Sequence, residues 1–176
     1  MERAKFMPRI APPLMFAVAA ALLAACASYE AEKSPAFYES LARPGAEVSV
    51  PAAASLLSDY RRANALPAVE PDPALNAMAK DQARRMSELD RLTHDAGGRG
   101  FTQRLNASGF QAARAVENVG AGYHTLAEAF SGWRDSPSHN KNMLVAGATR
   151  FGIATAYAPG SKYKVFWALV LAEPAR

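Results

Sequence analysis

Val165 to Ala172 reads VFWALVLA, eight residues without a polar side chain. A strand with one wet face alternates apolar and polar residues, so an unbroken apolar run belongs to a strand buried on both faces. Just upstream, Phe151 to Ala158 (FGIATAYA) does alternate, and Pro159-Gly160-Ser161 supplies a turn between the two segments. Together they form a hairpin. A sheet built around a doubly buried strand needs helices over both sides. The expected fold is therefore α/β, a three-layer α-β-α sandwich with a small, mainly antiparallel sheet covered by helices on both faces.

The helices are found by working back along the chain. Leu56, Leu57, Tyr60, Ala63 and Asn64 recur at helical spacing, and Leu66-Pro67 ends that segment. Asp72-Pro73 is an N-cap and first-position pair. It opens a helix with Leu75, Met78, Ala79, Gln82, Ala83 and Met86 along one stripe, running out between Leu89 and Leu92. Asp95 to Gly100 (DAGGRG) reads as a loop, Phe101 to Ala107 as a short helix stopped by Ser108-Gly109, and Ala115 to Gly120 (AVENVG) as a short strand. Thr125 and Glu128 form a capping box at the head of the next helix.

That helix leads into Gly132 to Leu144, GWRDSPSHNKNML. Trp133 is expected to be buried and to anchor its helix. Ser136-Pro137 restarts the chain, with Ser136 expected to cap a second short helix through its side chain. His139 then falls in the first turn, and Asn142, three residues on, shares its face.

The N-terminus is of another kind. Arg3, Lys5 and Arg9 precede an alanine-rich apolar run, Leu14 to Leu22, followed by Leu23-Ala24-Ala25-Cys26. This is a secretory signal, too short for a membrane span. Its end resembles the bacterial lipobox, whose cysteine is lipidated and becomes the mature N-terminus. Residues 1–25 are thus expected to be a lipoprotein signal peptide, 26–50 a lipidated tether and 51–176 the folded domain. Cys26 is the only cysteine, so an intrachain disulfide is excluded and the domain holds by packing. Ala27 after the cysteine favours an outer membrane's periplasmic face, with the membrane itself as a partner through the Cys26 lipid. The pI of 9.4 is partly the signal's. Without residues 1–25, 17 basic residues face 15 acidic ones, which is no nucleic-acid footprint. The pairs Arg61-Arg62 and Arg84-Arg85 read as solvated helix faces.

His94, Glu117 and His139 are the polar residues that packing explains least. They stand on three different stiff elements. Two imidazoles and a carboxylate can hold a divalent metal, with Glu117 orienting a ligand. They can do acid/base chemistry. They can also form a buried network that only specifies the fold.

His94, the Glu117-Asn118 pair, Trp133 and the S-P-x-H run of Ser136, Pro137 and His139 resemble the CAP superfamily of cysteine-rich secretory proteins, venom antigens and plant pathogenesis-related proteins. Tyr60-Arg61 with Asn64, Phe151-Gly152-Ile153 and the Trp167 strand fit the same frame, from Leu56 to Ala172. The resemblance implies an α-β-α sandwich and a cavity where two histidines and two acids can bind a divalent metal. By motif position His94, Glu117 and His139 match three of these, and the fourth acid is Ser136 here, as in a short bacterial branch. It also implies supporting roles for Asn118, Trp133, Ser136 and Asn142. With His94 and His139 as its two protein ligands, a metal such as zinc would be weakly held, and no cofactor is obligatory. Glu128 is explained by its cap and His124 as a loop residue. A serine hydrolase on Ser136 and His139 lacks a nucleophile elbow. Two function classes follow: a binding or scaffolding module for a lipid, peptide or cell-wall ligand, which is favoured over an enzyme, and a metal-assisted hydrolase using the same cleft.

If Cys26 carries lipid, labelled fatty acid is incorporated into the wild-type chain and not into Cys26→Ser. Equal labelling of both excludes the anchor.

Overall fold

The computed structural model describes residues 34–176. The signal and Cys26 lie outside them. Among the described residues, five α-helices surround one four-stranded sheet. In chain order these are α1 (Val50–Ala63), β1 (Glu70–Pro71), α2 (Pro73–Leu89), α3 (Phe101–Ser108), β2 (Ala112–Ala121), α4 (Leu126–Asp135), α5 (Pro137–Met143), β3 (Arg150–Tyr157) and β4 (Val165–Pro174). The strand order is β1-β3-β4-β2. The β2–β4 and β3–β4 pairs are antiparallel, and the two-residue β1, which sequence patterning does not reveal, runs parallel to β3. The sheet is thus mixed.

β4 lies inside the sheet, and every residue from Val165 to Ala172 is buried. Its side chains alternate between two cores. Val165, Trp167, Leu169 and Leu171 join Leu57, Leu126, Trp133 and Phe151 on the side of α1, α4 and α5. Phe166, Ala168, Val170 and Ala172 join Leu75, Met78, Ala83 and Met86 of α2 on the other side. The second face is lined with small residues, so α2 can lie close. A Cβ on Gly152 would fall on the Leu75 carbonyl. Only glycine lets helix and strand backbones approach this far.

Local chemistry explains the helix ends. Asp72 accepts from the N–H groups of Ala74 and Leu75 at 2.8 and 3.0 Å. The capping box closes as expected, with the Thr125 hydroxyl accepting from Glu128 N and the Glu128 carboxylate accepting from Thr125 N, both at 3.2 Å. Ser136 departs from expectation. Its side chain makes no cap bond; only its carbonyl does, accepting from Asn140 N at 2.8 Å. Part of the DAGGRG loop is also more ordered than expected. Ala96–Gly98 forms a 3₁₀ turn, with Gly97 at φ 73°.

Two sequence expectations need larger corrections. The packed body does not begin at Pro51. Leu41 and Val48 are buried, and Leu41 N donates to the His124 carbonyl at 2.7 Å, so much of the expected tether belongs to the domain. Nor is Arg61 on a solvated face. It is wholly buried, and its guanidinium donates to the carbonyls of Pro67, Met143, Val145 and Ala148 at 2.8–3.1 Å. It lies one helical turn from Leu57, so the packing that buries Leu57 draws it inward. There it meets carbonyls that the end of α5 leaves without intrahelical donors. Burial lowers its pKa.

Trp133 is 2% exposed and stands edge-on to Trp167, with ring centroids 6.2 Å apart. Trp133→Ala should lower unfolding stability by about 3–5 kcal/mol in a urea titration, as for other large-to-small core changes. An unchanged midpoint would show that the indole does not hold α4 to the sheet.

Candidate functional site

β2 is the edge strand of the sheet opposite β1, and there the two helical layers meet. Glu117 points toward the α2–α3 layer, on the same side of β2 as Val119. Its carboxylate is almost wholly buried, with 2% of the side chain exposed. Such a charge needs partners, and Arg104 of α3 supplies a two-pronged one. Arg104 Nη1 donates to Glu117 Oε1 at 2.8 Å, and Nη2 donates to Oε2 at 2.9 Å. Arg104 Nη2 also donates to the His94 carbonyl at 3.0 Å, fixing the segment after α2. The His94 ring then lies with Nδ1 at 2.8 Å from Glu117 Oε2. Its other nitrogen stands on a side chain that is 56% exposed.

From the other layer, Asn142 donates to the outward carbonyl of Glu117 at 3.1 Å and to Asn118 Oδ1 at 2.9 Å. Asn118 Nδ2 donates to the His139 carbonyl at 3.0 Å. These three bonds fasten α5 to the edge of β2 and fix the backbone of His139. The ring is half-buried. Burial, and then the nearby charge of His94, hold His139 below the usual histidine pKa.

The structure pairs His94 with Glu117 and fastens the His139 backbone to the same strand through Asn118, with Asn142 bonded to Asn118 and to the Glu117 carbonyl. Trp133, on α4, belongs to the apolar core beside Trp167. Ser136 has no such place; its hydroxyl lies 3.5 Å from that of Ser138. His124 stays apart as an exposed loop residue, its backbone N–H donating to the Glu128 carboxylate at 2.6 Å. Arg104 is the residue that sequence reasoning missed. On an eight-residue helix an arginine reads as a solvated residue, and only the Glu117 carboxylate behind it gives a reason for burial.

The donor set is short for a resident metal. Among the described residues, no group of three or more His, Cys, Asp and Glu side chains is arranged to hold an ion. Both Glu117 oxygens accept from Arg104, and Nδ1 of His94 is committed to Glu117. That leaves at most one nitrogen of each imidazole, one ligand fewer than a usual catalytic zinc site has.

Residues 54–171 match the family described as the Cysteine-rich secretory protein family, CAP. The chain belongs to this family. The CAP fold is found in solved structures that superpose on this one. A SCP-domain extracellular protein from Bacillus anthracis is 22% identical with a TM-score of 0.62, covering 70% of this chain and 40% of its own. An outer surface protein of Borrelia burgdorferi is 19% identical with a TM-score of 0.63, covering 74% of this chain and 99% of its own. A venom allergen-like protein of Schistosoma mansoni is 13% identical with a TM-score of 0.51, covering 71% of this chain and 88% of its own. No curated protein matches. The CAP match spans the whole cluster, from His94 through Arg104 and Glu117 to Asn142.

The lowered pKa of His139 carries a sign. In the unfolded chain this ring takes up a proton near the ordinary value of about 6.5, whereas in the fold it resists protonation to lower pH. Its contribution to stability is therefore intact above about pH 6.5. It is lost as pH falls from there through the folded midpoint. Histidine NMR should place the His139 midpoint below 6.5, and His139→Gln should flatten that part of the stability–pH curve. A midpoint at or above 6.5 would contradict the burial of the ring.

Proposed function

We propose that this chain is an extracytoplasmic, lipid-anchored CAP-domain protein whose His94–Glu117–His139 cluster binds a ligand rather than catalysing hydrolysis. One observation carries the choice. A hydrolase working at this cluster needs Glu117 free as a base or as a metal ligand. Here both oxygens of that carboxylate accept hydrogen bonds from Arg104, and one also meets His94. The same arrangement suits recognition, because it holds the exposed His94 ring through Glu117 and fixes the backbone that carries His139 at the sheet edge. Such preorganisation lowers the cost of binding. The groups presented are polar, which suits a peptide or cell-wall fragment better than an acyl chain.

The exported location rests on the N-terminal pattern of residues 1–26. The extracellular and outer surface proteins that share the fold agree with it. If a divalent ion visits the cluster, His94 and His139 are its ligands, and it exchanges readily.

The test incubates the full-length chain in detergent with soluble fragments of bacterial cell wall, with and without zinc. Fragments should be retained and recovered intact, and the double variant His94→Ala, His139→Ala should retain them at least tenfold less well. Zinc should shift the His94 and His139 ring resonances together while His124 stays unmoved. New fragment products that appear with wild type and vanish in the double variant would establish the hydrolase instead. Equal retention by both proteins would remove the cluster from function.

A further inference from the structure

The packed body begins closer to Cys26 than residue patterning suggests. Pro35 to Tyr38 forms a tight turn, with Tyr38 N donating to the Pro35 carbonyl at 2.8 Å. Phe37 packs against the core that holds Leu41 and Val48. Only seven residues, 27–33, then separate Cys26 from Ser34. Fully extended, the chain from Cys26 to Ser34 reaches at most about 29 Å. If Cys26 carries lipid, this end of the domain is leashed to the bilayer surface.

The surface at this end is suited to such a neighbour. Tyr38 is 60% exposed, more than any other large apolar side chain among the described residues. Its ring is inclined against that of Phe37, with centroids 4.5 Å apart. Ala36 and Phe37, next to it in the chain, join Ala52, Ser55, Leu56 and Asp59 of α1 around a groove of about 310 Å³. Charge gives this face no sign. Asp59 pairs with Arg62 at 2.6 Å, and the exposed Glu39 and Arg43 are of opposite charge. A tyrosine, apolar in its ring and polar at its tip, suits the boundary between lipid headgroups and hydrocarbon. The leash decides the occupant, because the bilayer is the partner that the anchor keeps within reach at all times.

We propose that the Pro35–Tyr38 turn and the groove it makes with α1 form a membrane-docking face, with the Tyr38 ring seated at the headgroup boundary. The proposal rests on the lipid-anchored reading of Cys26 and adds to it a second, apolar contact. The domain is then held to the bilayer by one face instead of turning freely on its leash. With no net charge on that face, docking is independent of anionic lipid.

The test places the lipidated chain in phosphatidylcholine vesicles whose upper acyl chains are brominated, a quencher of indole emission. Trp133 and Trp167 are buried and should be spared. Tyr38→Trp, at an exposed position where folding is undisturbed, should lose at least half of its added emission. Ala107→Trp, exposed on α3 in the other helical layer, should keep its own. Adding anionic lipid should change neither. In bicelles with a headgroup spin label, the native Tyr38 amide should broaden more than that of Ala107, and Tyr38→Ser should abolish the difference. A wild-type chain that fails to float with the vesicles would remove the anchor and this contact together. Flotation with unquenched Tyr38→Trp, or with Tyr38→Trp and Ala107→Trp quenched equally, would overturn the docking face and leave the anchor standing. So would a broadening difference that persists in Tyr38→Ser, which would belong to the leash alone.

Discussion

β4 has no wet side, and the rest of the domain follows from that. An apolar strand buried on both faces must have helices above and below it. The two layers are not alike. On one, Trp167, Leu169 and Leu171 are large and hold α1 and α4 at a distance through side chains such as Trp133. On the other, Ala154, Ala168, Ala172 and Gly152 let α2 approach until backbone meets backbone. A central strand also creates two sheet edges, and these are where polar chemistry can reach solvent. One carries the histidine cluster; the other is finished by the two residues of β1.

Two buried arginines hold this arrangement, and they differ in kind. Among the described residues Arg61 has no carboxylate partner. Its charge is spread over four carbonyls, which tie α1 to the chain around the end of α5. Arg's planar fork can serve several such acceptors at once. Arg104 instead pairs with a carboxylate in a bidentate geometry, and both partners are buried to within a few per cent. Losing one member of such a pair is costly, since it strands the other charge in an apolar medium. The consequence for function is direct. Glu117 is held still and turned toward His94, but its oxygens are already engaged.

This distinguishes the chain from the pattern that its CAP resemblance implies, in which two acids and two histidines surround a metal. Ser136 stands where the second acid is expected, and the first acid is neutralised by Arg104. What remains at this sheet edge is the exposed His94 ring held by Glu117, and the half-buried His139 whose backbone Asn118 fastens to the strand.

Much of this was legible in the residues alone. VFWALVLA announced the doubly buried strand because hydrophobic periodicity records how many faces meet solvent. Asp72-Pro73 and Thr125 with Glu128 marked helix starts because caps are made between neighbours in sequence. His94, Glu117 and His139 stood out by lacking a packing explanation. The remainder depended on groups far apart in the chain. Arg104 and Glu117 are 13 residues apart on a helix and a strand, and Arg61 reaches carbonyls more than 80 residues away. An arginine's own sequence neighbourhood does not reveal whether an acceptor waits in the core. Nor could the strand pattern show that a two-residue β1 would pair with β3. Local preferences are written in adjacent residues, whereas the partners of buried charges and the ends of a sheet are decided only when distant segments come together.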